Sequence, residues 1–292
     1  MKIIDAHLHF MAVADFDRIA VAAGHENTEE HLAAAYETYG ISTGIVMGNG
    51  PLDCQHCHPS FLHYCVGLDI MDWQEDREAG LRLTEENLQR PDCAGLKLYP
   101  GYNAFYVYDE MLAPLYALAE KYHKPVAIHT GLTASGMGLL KYSHPLTLDE
   151  AASRWPGVQF VMCHLGNPFL QDAVAVLEKN QNVAADLSGL LEGKIPDWEA
   201  FTRQKRGYLR MLRDWLEYLD CYDKIMFGTD WPLANLEDYI KLTKEIAPPE
   251  AWEAVFHGSA ERIYGLTACS RSEGKNHEFG NGGVENPCTG KG

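Results

Sequence analysis

Short apolar runs recur along the whole chain and alternate with longer segments that have the spacing of amphipathic helices. Most of the runs are rich in Val, Ile and Leu and lack alternating polar positions, as is typical of parallel strands that are buried on both faces. We therefore predict eight strands, at Ile3–His7, Thr43–Met47, Tyr64–Leu68, Gly95–Tyr99, Val126–His129, Val158–His164, Val183–Leu187 and Ile225–Asp230.

The segments between the runs carry apolar residues three and four positions apart, which is the period of one helix face. The interval 48–61, by contrast, has the pattern of a loop. We predict helices at Glu29–Tyr39, Glu75–Gln89, Asp109–Lys124, Leu148–Trp155, Leu170–Lys179, Tyr208–Tyr222 and Leu236–Ile246.

The alternation of eight strands with helices predicts a single closed (β/α)8 barrel, the TIM barrel. An open doubly wound sheet is the rival architecture, but no glycine-rich phosphate loop follows the first strand. Two further helical segments, Pro249–Phe256 and Gly258–Tyr264, are expected to pack against the bottom of the barrel. Residues 267–292 are rich in Gly, Ser, Asn and Lys. We therefore expect a barrel domain of residues 1–266 and a disordered tail at 267–292 without a catalytic role.

The composition limits the classes of partner. The formal net charge of −17 argues against nucleic acid and anionic membranes, because both require basic patches. No run reaches transmembrane length, no secretory signal precedes the first strand, and the cysteines are scattered. We interpret the cysteines as reduced thiols and the protein as cytoplasmic. The expected partner is a small-molecule substrate, and a homodimer is the usual default for such a barrel.

Residues with metal-binding or proton-transfer chemistry end five of the predicted strands, where barrel enzymes carry their active sites. They are His7 and His9 on the first strand, Lys97 on the fourth, His129 on the fifth, His164 on the sixth and Asp230 on the eighth. Strand residues two apart point to one face, so the imidazoles of His7 and His9 can converge. A hydrogen-bonded core histidine or a capping aspartate explains any one of these residues taken alone. The set on five strand ends predicts a site for zinc or a similar divalent ion.

Four segments in this order resemble the signature motifs of the amidohydrolase superfamily. They are Ile-Asp-Ala-His-Leu-His (4–9), Ile-His-Thr-Gly (128–131), Cys-His-Leu-Gly-Asn-Pro (163–168) and Phe-Gly-Thr-Asp-Trp-Pro (227–232). The resemblance covers residues 1–266 and is greatest to the branch that includes aminocarboxymuconate-semialdehyde decarboxylase, hydroxybenzoate decarboxylases and lactonases. It implies a divalent metal, Zn²⁺ or else Mn²⁺, bound by His7, His9, His129 and Asp230. It also implies that His164 positions and polarises the attacking water or the substrate.

Such an ion makes two reactions available. In hydrolysis, zinc lowers the pKa of bound water towards roughly 7, Asp230 transfers the water proton to the leaving group, and His164 holds the oxyanion. In decarboxylation, the metal chelates substrate oxygens, and Asp230 or His164 delivers a proton to carbon. Decarboxylases of this branch typically add arginines that bind substrate carboxylates, whereas Lys97 is the basic residue at a strand end here.

We therefore favour a metal-dependent hydrolase acting on a C–N, C–O or lactone bond of a small organic acid. The alternative is a metal-dependent decarboxylase, or carboxy-lyase, of an unsaturated or aromatic carboxylic acid. A barrel used only for binding is the least favoured interpretation, because all the proposed ligands are present.

Lys97 has three interpretations at this point. It is a carboxylated lysine that bridges two metal ions, a cation that binds a substrate carboxylate, or a lysine that pairs with Asp230 or another acid inside the barrel. One ion is expected unless Lys97 is carboxylated, in which case two are expected.

Residues in and near the loops add further candidates. Tyr99 and Tyr102 follow the fourth strand and have rings and hydroxyls suited to an unsaturated substrate, while His144 follows the fifth strand as a second substrate contact. The segment 54–58 (Cys-Gln-His-Cys-His) lacks a second ligand pair and is interpreted as a surface loop. Strand alternation places the side chain of Cys163 in the helix layer, which argues against a nucleophilic role.

Overall fold

The structure, a computed structural model, describes residues 1–11 and 13–266. Eight parallel strands pair in chain order and form one sheet. Their bounds are β1 Ile3–Leu8, β2 Ile41–Met47, β3 His63–Leu68, β4 Cys93–Leu98, β5 Val126–Ile128, β6 Phe160–Met162, β7 Val183–Asp186 and β8 Ile225–Met226. All eight predicted strands are confirmed, although the sixth and the eighth are shorter than their apolar runs.

Hydrogen bonds between β1 and the segment that follows β8 close the sheet into a barrel. The backbone N–H of Ala6 donates to the carbonyl of Phe227 over 2.9 Å, and that of His9 donates to the carbonyl of Trp231 over 2.7 Å. The TIM barrel predicted from the sequence is therefore confirmed. The expected tail at 267–292 lies outside the described residues.

Twelve α-helices surround the strands in the described part of the chain. They are α1 Ala14–Ala22, α2 Glu29–Tyr39, α3 Ile70–Glu75, α4 Arg77–Leu88, α5 Ala113–Tyr122, α6 Leu140–Ser143, α7 Leu146–Arg154, α8 Leu170–Lys179, α9 Trp198–Gln204, α10 Arg206–Leu219, α11 Leu236–Ile246 and α12 Ser259–Tyr264. The seven predicted helices are confirmed, three of them with the predicted bounds. The predicted loop at 48–61 carries only turns.

Two apolar clusters hold these layers together. The larger cluster lies between the strands and the helices, and the smaller one fills the barrel interior with side chains such as Ile4, Ile45 and Met226. Ile263 and Tyr264 of α12 belong to the interior cluster. The final helical segment therefore closes the bottom of the barrel, as expected, and the opposite end remains open to a cavity.

Cys163 corrects one sequence prediction, because its side chain lies in the barrel interior and not in the helix layer. Val161 and Cys163, two residues apart, both face inward. The strand ends at Met162, and His164 then adopts a left-handed backbone with φ of 62°. This turn, and not strand alternation, brings the ring of His164 to the open end of the barrel.

The reduced state predicted for the cysteines is confirmed in part. Cys54, Cys57, Cys65, Cys93 and Cys163 carry free thiols. Cys269 and Cys288 lie outside the described residues. None of the helices in residues 1–11 and 13–266 has the length and apolar character needed to cross a bilayer.

Candidate metal centre

His7 of β1, His9 just after β1 and one aspartate that follows β8 meet at the open end of the barrel. The Nε2 atom of His7 lies 3.4 Å from Oδ1 of Asp230, and the Nε2 atom of His9 lies 3.3 Å from the same oxygen. The three side chains place one ligand atom each within 4.8 Å of one another. The predicted convergence of His7 and His9 is thus present, and Asp230 completes a compact group of two nitrogens and one oxygen.

Three buried polar atoms at this place lack a hydrogen-bond partner among the described residues. They are Nε2 of His7, Nε2 of His129 and Oδ1 of Asp230. A buried polar atom without a partner typically costs about 1–3 kcal/mol. Because imidazole nitrogen and carboxylate oxygen are the ligands that zinc prefers, a divalent ion held by His7, His9 and Asp230 would satisfy the first and the third of these atoms. The donor set therefore fits a metal.

His129, which follows β5, lies beside the compact group and not within it. Its Nδ1 atom is 3.2 Å from Nε2 of His164, and the ring of Tyr102 packs on it with centroids 4.8 Å apart. Three of the four predicted ligands are therefore together, and the fourth has its free Nε2 atom at the same end of the barrel.

Burial and neighbouring groups determine the protonation of His7, His129 and Asp230. It lowers the pKa of His7 to about 4, and it holds the pKa of His129 well below the ordinary value. Burial opposes ionisation of Asp230, but contact with His9 and the charge of the nearby histidines hold the pKa of Asp230 below its usual range. At neutral pH His7 and His129 are therefore neutral imidazoles and Asp230 is a carboxylate, the forms that bind metal ions.

Lys97 points from β4 into the barrel interior and is fully buried. Its Nζ atom donates to Sγ of Cys163 over 2.9 Å and lies 5.1 Å from the ring centre of Tyr99. The ion-pair partners of Asp230 are His7 and His9, and no carboxylate in the described part of the chain pairs with Lys97. The third interpretation of Lys97, a pair with Asp230 or another acid, is therefore wrong.

A cavity of about 740 Å³ opens above this group. Among the described residues that line it, Lys97 is the one lysine or arginine. The polar and aromatic lining residues are His9, Phe16, Asn49, Asp69, Lys97, Tyr99, Tyr102, Asn103, His129, Thr133, His164, Asn167, Glu192 and Asp230. Tyr99 and Tyr102 are thus at the predicted place.

His144 does not line this cavity. Its Nε2 atom lies 3.5 Å from a carboxylate oxygen of Asp172, and its ring packs on Phe169 with centroids 4.4 Å apart. The segment 54–58 also lies away from the cavity lining, with Cys54 and Cys57 exposed. Gln55, which is buried, anchors it by donating to the carbonyl of Gly67 over 2.7 Å. The surface loop predicted for 54–58 is confirmed.

Sequence reasoning missed Asp186, the last residue of β7. Its Oδ2 atom accepts a hydrogen bond from Nδ1 of His7 over 3.0 Å, and its Oδ1 atom accepts one from Oγ of Ser188 over 2.5 Å. Ser188 in turn contacts Nδ1 of His164 over 2.8 Å. Gly189 follows with φ of 67°, and a Cβ atom there would lie 2.7 Å from His164 Nδ1. An acidic residue at the end of an apolar run was the available signal.

Asp5, two residues before His7, is a second missed residue. It is fully buried and accepts hydrogen bonds from Oγ1 of Thr229 over 2.6 Å and from the hydroxyl of Tyr36 over 3.1 Å. Burial raises the pKa of Asp5 to about 7, against the effect of these hydrogen bonds. Asp5 therefore ties β1 to the residue that precedes Asp230.

The comparisons with known proteins agree with this arrangement. The sequence profile of the amidohydrolase family matches residues 4–266. The chain belongs to the amidohydrolase family. The match of the family profile confirms the family predicted from the four motifs. A search of curated protein sequences finds no match for this amidohydrolase.

Several solved structures share the fold of this amidohydrolase. They include an amidohydrolase from Burkholderia multivorans with bound zinc (18% identity, TM-score 0.62) and a protein assigned as a 2-pyrone-4,6-dicarboxylic acid hydrolase from Pseudomonas putida (17%, 0.61). A third is the 2,6-dihydroxybenzoate decarboxylase from Rhizobium (14%, 0.65). Each comparison covers 91% of this chain and 98% or 99% of the other chain. At these identities the likeness establishes the fold.

Proposed function

We propose that this amidohydrolase is a metal-dependent hydrolase that cleaves a C–N, C–O or lactone bond of a small organic acid with water. One observation carries the proposal. The unpaired Nε2 of His7, the Nε2 of His9 and the unpaired Oδ1 of Asp230 converge where the barrel opens into a 740 Å³ cavity. This is the end at which barrel enzymes carry their chemistry.

The proposed cofactor is one divalent ion, Zn²⁺ or else Mn²⁺, held by His7, His9, His129 and Asp230. When bound, such an ion lowers the pKa of water and polarises a substrate carbonyl. The similar Burkholderia multivorans amidohydrolase contains zinc, which supports this choice of metal. Two or three imidazoles and one carboxylate are also a common ligand set of catalytic zinc.

Two side chains have proposed roles in the reaction. Asp230, ionised at neutral pH and open to the cavity, accepts the proton of the attacking water and returns it to the leaving group. His164 lines the same cavity, but Ser188 and His129 already occupy its two ring nitrogens. We therefore assign His164 to positioning rather than to proton transfer.

The charge of the cavity favours hydrolysis over decarboxylation. Lys97 supplies one cation, whereas Asp69 and Glu192 line the cavity as acids in addition to Asp230. A substrate with one carboxylate fits this balance better than an aromatic dicarboxylate. The alternative remains a carboxy-lyase, which the similarity to a decarboxylase from Rhizobium and the rings of Tyr99 and Tyr102 support.

Lys97 is proposed to bind the substrate carboxylate as a free ammonium group. Its Nζ atom donates to the thiol of Cys163, which forms a second group of possible ligand atoms with His7 and Asp186, and the proposal keeps one ion without a bridging carboxylated lysine. The small-molecule substrate, the absence of nucleic acid and membrane partners, the cytoplasmic location and a homodimer stay predictions.

The test compares two substrate panels on the zinc-loaded full chain. One panel holds lactones, esters and amides of small acids, each with one carboxylate, and the other holds hydroxybenzoates. We expect acid release from the first panel and no carbon dioxide from the second. Carbon dioxide release without hydrolysis of any member of the first panel would replace the proposal with the carboxy-lyase alternative.

A further inference from the structure

Asp186 is a carboxylate at the centre of the site that does not itself line the cavity. It is fully buried and accepts four hydrogen bonds, from Nδ1 of His7, from the N–H of His164, and from both the N–H and the Oγ of Ser188. Asp186 is therefore ionised and acts only as an acceptor.

This acceptor determines the tautomer of His7. Because Oδ2 of Asp186 has no proton to give, Nδ1 of His7 carries the proton of their 3.0 Å hydrogen bond. A neutral imidazole has one N–H, so Nε2 of His7 carries a lone pair. This Nε2 atom is buried, has no hydrogen-bond partner among the described residues and faces Asp230.

The same argument continues from Oδ1 of Asp186 along a chain of three groups, which are Ser188, His164 and His129 in that order. Ser188 has one hydroxyl proton, and the 2.5 Å contact with Oδ1 of Asp186 uses it. The Oγ atom of Ser188 must then accept from Nδ1–H of His164, 2.8 Å away. With the single N–H of a neutral His164 on Nδ1, its Nε2 atom accepts from Nδ1–H of His129 over 3.2 Å. The Nε2 atom of His129 is left with a free lone pair.

We propose that Asp186 is the positioning residue that sets the tautomers of two metal-binding histidines, directly at His7 and through Ser188 and His164 at His129. The Nε2 lone pair of His7 then faces Asp230, and that of His129 lies at the same open end of the barrel, neither with a proton to displace. The tautomer of His9 has a separate origin, because its Nδ1 atom donates to the carbonyl of Met47 over 3.2 Å. The inference rests on the metal site of the proposed function and adds the residues that prepare it.

A partner of this kind matters to a metal site because it fixes both the orientation and the proton of each ligand. Loss of such a partner typically lowers metal affinity by about 10–100-fold. Ser188 serves only the branch to His129, whereas Asp186 serves both branches. Replacing Asp186 should therefore lower the metal affinity more than replacing Ser188.

The first experiment measures the ring nitrogens of the metal-free full chain by ¹⁵N-histidine NMR. We expect His7 and His129 to carry the proton on Nδ1 in the wild type. In Ser188→Ala, His129 should lose this preference while His7 retains it. A wild-type His129 protonated on Nε2 would overturn the relay, and this readout needs neither metal nor activity.

The second experiment measures Zn²⁺ affinity by competition with a chromophoric chelator. Ser188→Ala should bind Zn²⁺ about tenfold more weakly and Asp186→Asn about 100-fold more weakly, while Ser188→Thr, which keeps the hydroxyl, should restore the affinity. Ser259→Ala is the matched control, since Ser259 is a buried serine that donates to the carbonyl of Tyr222 near the barrel bottom. Circular dichroism and thermal unfolding check that each variant is folded.

The outcomes separate the two proposals. If Asp186→Asn and Ser188→Ala both bind Zn²⁺ with the affinity of the wild type, the role of Asp186 as a positioning residue is wrong. The proposed metal site is then still supported. If the wild type binds neither Zn²⁺ nor Mn²⁺, the proposed function fails, and the NMR tautomers still decide whether Asp186 sets the ring protons.

Discussion

The Nζ atom of Lys97 donates a hydrogen bond to Sγ of Cys163 over 2.9 Å, and both side chains are fully buried in the barrel interior. Lys97 also lines the cavity, so the amine connects the thiol below it with the space where a substrate binds. No carboxylate among residues 1–11 and 13–266 forms an ion pair with the amine, which is proposed to bind a carboxylate of the substrate.

Replacing Lys97 tests this assignment. Lys97→Met keeps the length of the side chain and removes its charge, so substrates with a carboxylate should show a KM raised by about 10-fold or more with a smaller change in kcat. Steady-state kinetics on an acid and on its uncharged amide or ester analogue measure this difference. Lys124→Met is the control, because Lys124 donates to the carbonyl of Cys93 away from the cavity lining. An equal effect on charged and uncharged substrates would contradict the assignment.

The thiol of Cys163 has a predicted effect on stability. Cys163→Ala leaves the buried amine of Lys97 without its acceptor, whereas Cys163→Ser supplies a hydroxyl in its place. We expect the alanine variant to be less stable than the serine variant by about 1–3 kcal/mol. Urea unfolding of the metal-free chain measures the difference. Cys65→Ala and Cys65→Ser give the effect of the same change at another interior thiol, which has no hydrogen bond from Lys97. A difference of equal size between these two variants would refute the role of Cys163.

Asp230→Asn separates proton transfer from metal binding. The amide keeps one oxygen for the ion but cannot accept a proton, so kcat should fall by about 10²–10⁴-fold while much of the metal is retained. Rates and metal content are measured on the same samples. Asp172→Asn, at an exposed acid beside His144, should leave both unchanged. A variant at 230 that retains full turnover would place the catalytic acid–base group elsewhere.

His25 has a predicted effect on the pH dependence of stability. It lies behind the site, where its ring packs on Trp231 and its Nε2 atom accepts from the backbone N–H of Leu236 over 3.2 Å. Burial, followed by the charges of His31 and Lys194, lowers the pKa of His25 to about 4 from its ordinary value of 6.5. The unfolded chain therefore binds the proton more readily than the folded one.

The contribution of neutral His25 is complete above pH 6.5 and is lost as the pH falls towards 4. His25→Gln removes the titrating group, so the free energy of unfolding should decline less steeply than in the wild type between these two pH values. Urea unfolding at several pH values in this range, on metal-free protein, gives both slopes. Identical slopes would show that His25 does not titrate as described.

Much of the fold was predictable because the strands are buried on both faces. Continuous apolar runs such as Val183–Ala185 admit few other structures, and the helices between them have a regular period. The short helices α1, α3, α6 and α9 were not predicted. They lie within loops at the barrel ends, where four to nine residues are too few for a periodic pattern.

The candidate site was predictable where side chains follow strand geometry and not where the chain turns. His7 lies on β1 and His9 follows the end of that strand by one residue, so their spacing indicates their common direction. His164 lies on a left-handed turn, which alternation does not describe, and the direction of Cys163 was wrong for the same reason. Asp186 was missed because its role depends on Ser188 and on β1, contacts between distant parts of the chain.

His7, His9 and Asp230 are proposed to hold a metal ion. The most direct test is the metal content of the full chain, purified without chelator and measured by elemental mass spectrometry beside the double variant His7→Ala, His9→Ala. We predict about one equivalent of zinc or manganese in the wild type and none in the variant. No metal in the wild type, even after incubation with Zn²⁺ or Mn²⁺, would contradict the claim, and two equivalents would contradict the single ion and the free amine of Lys97.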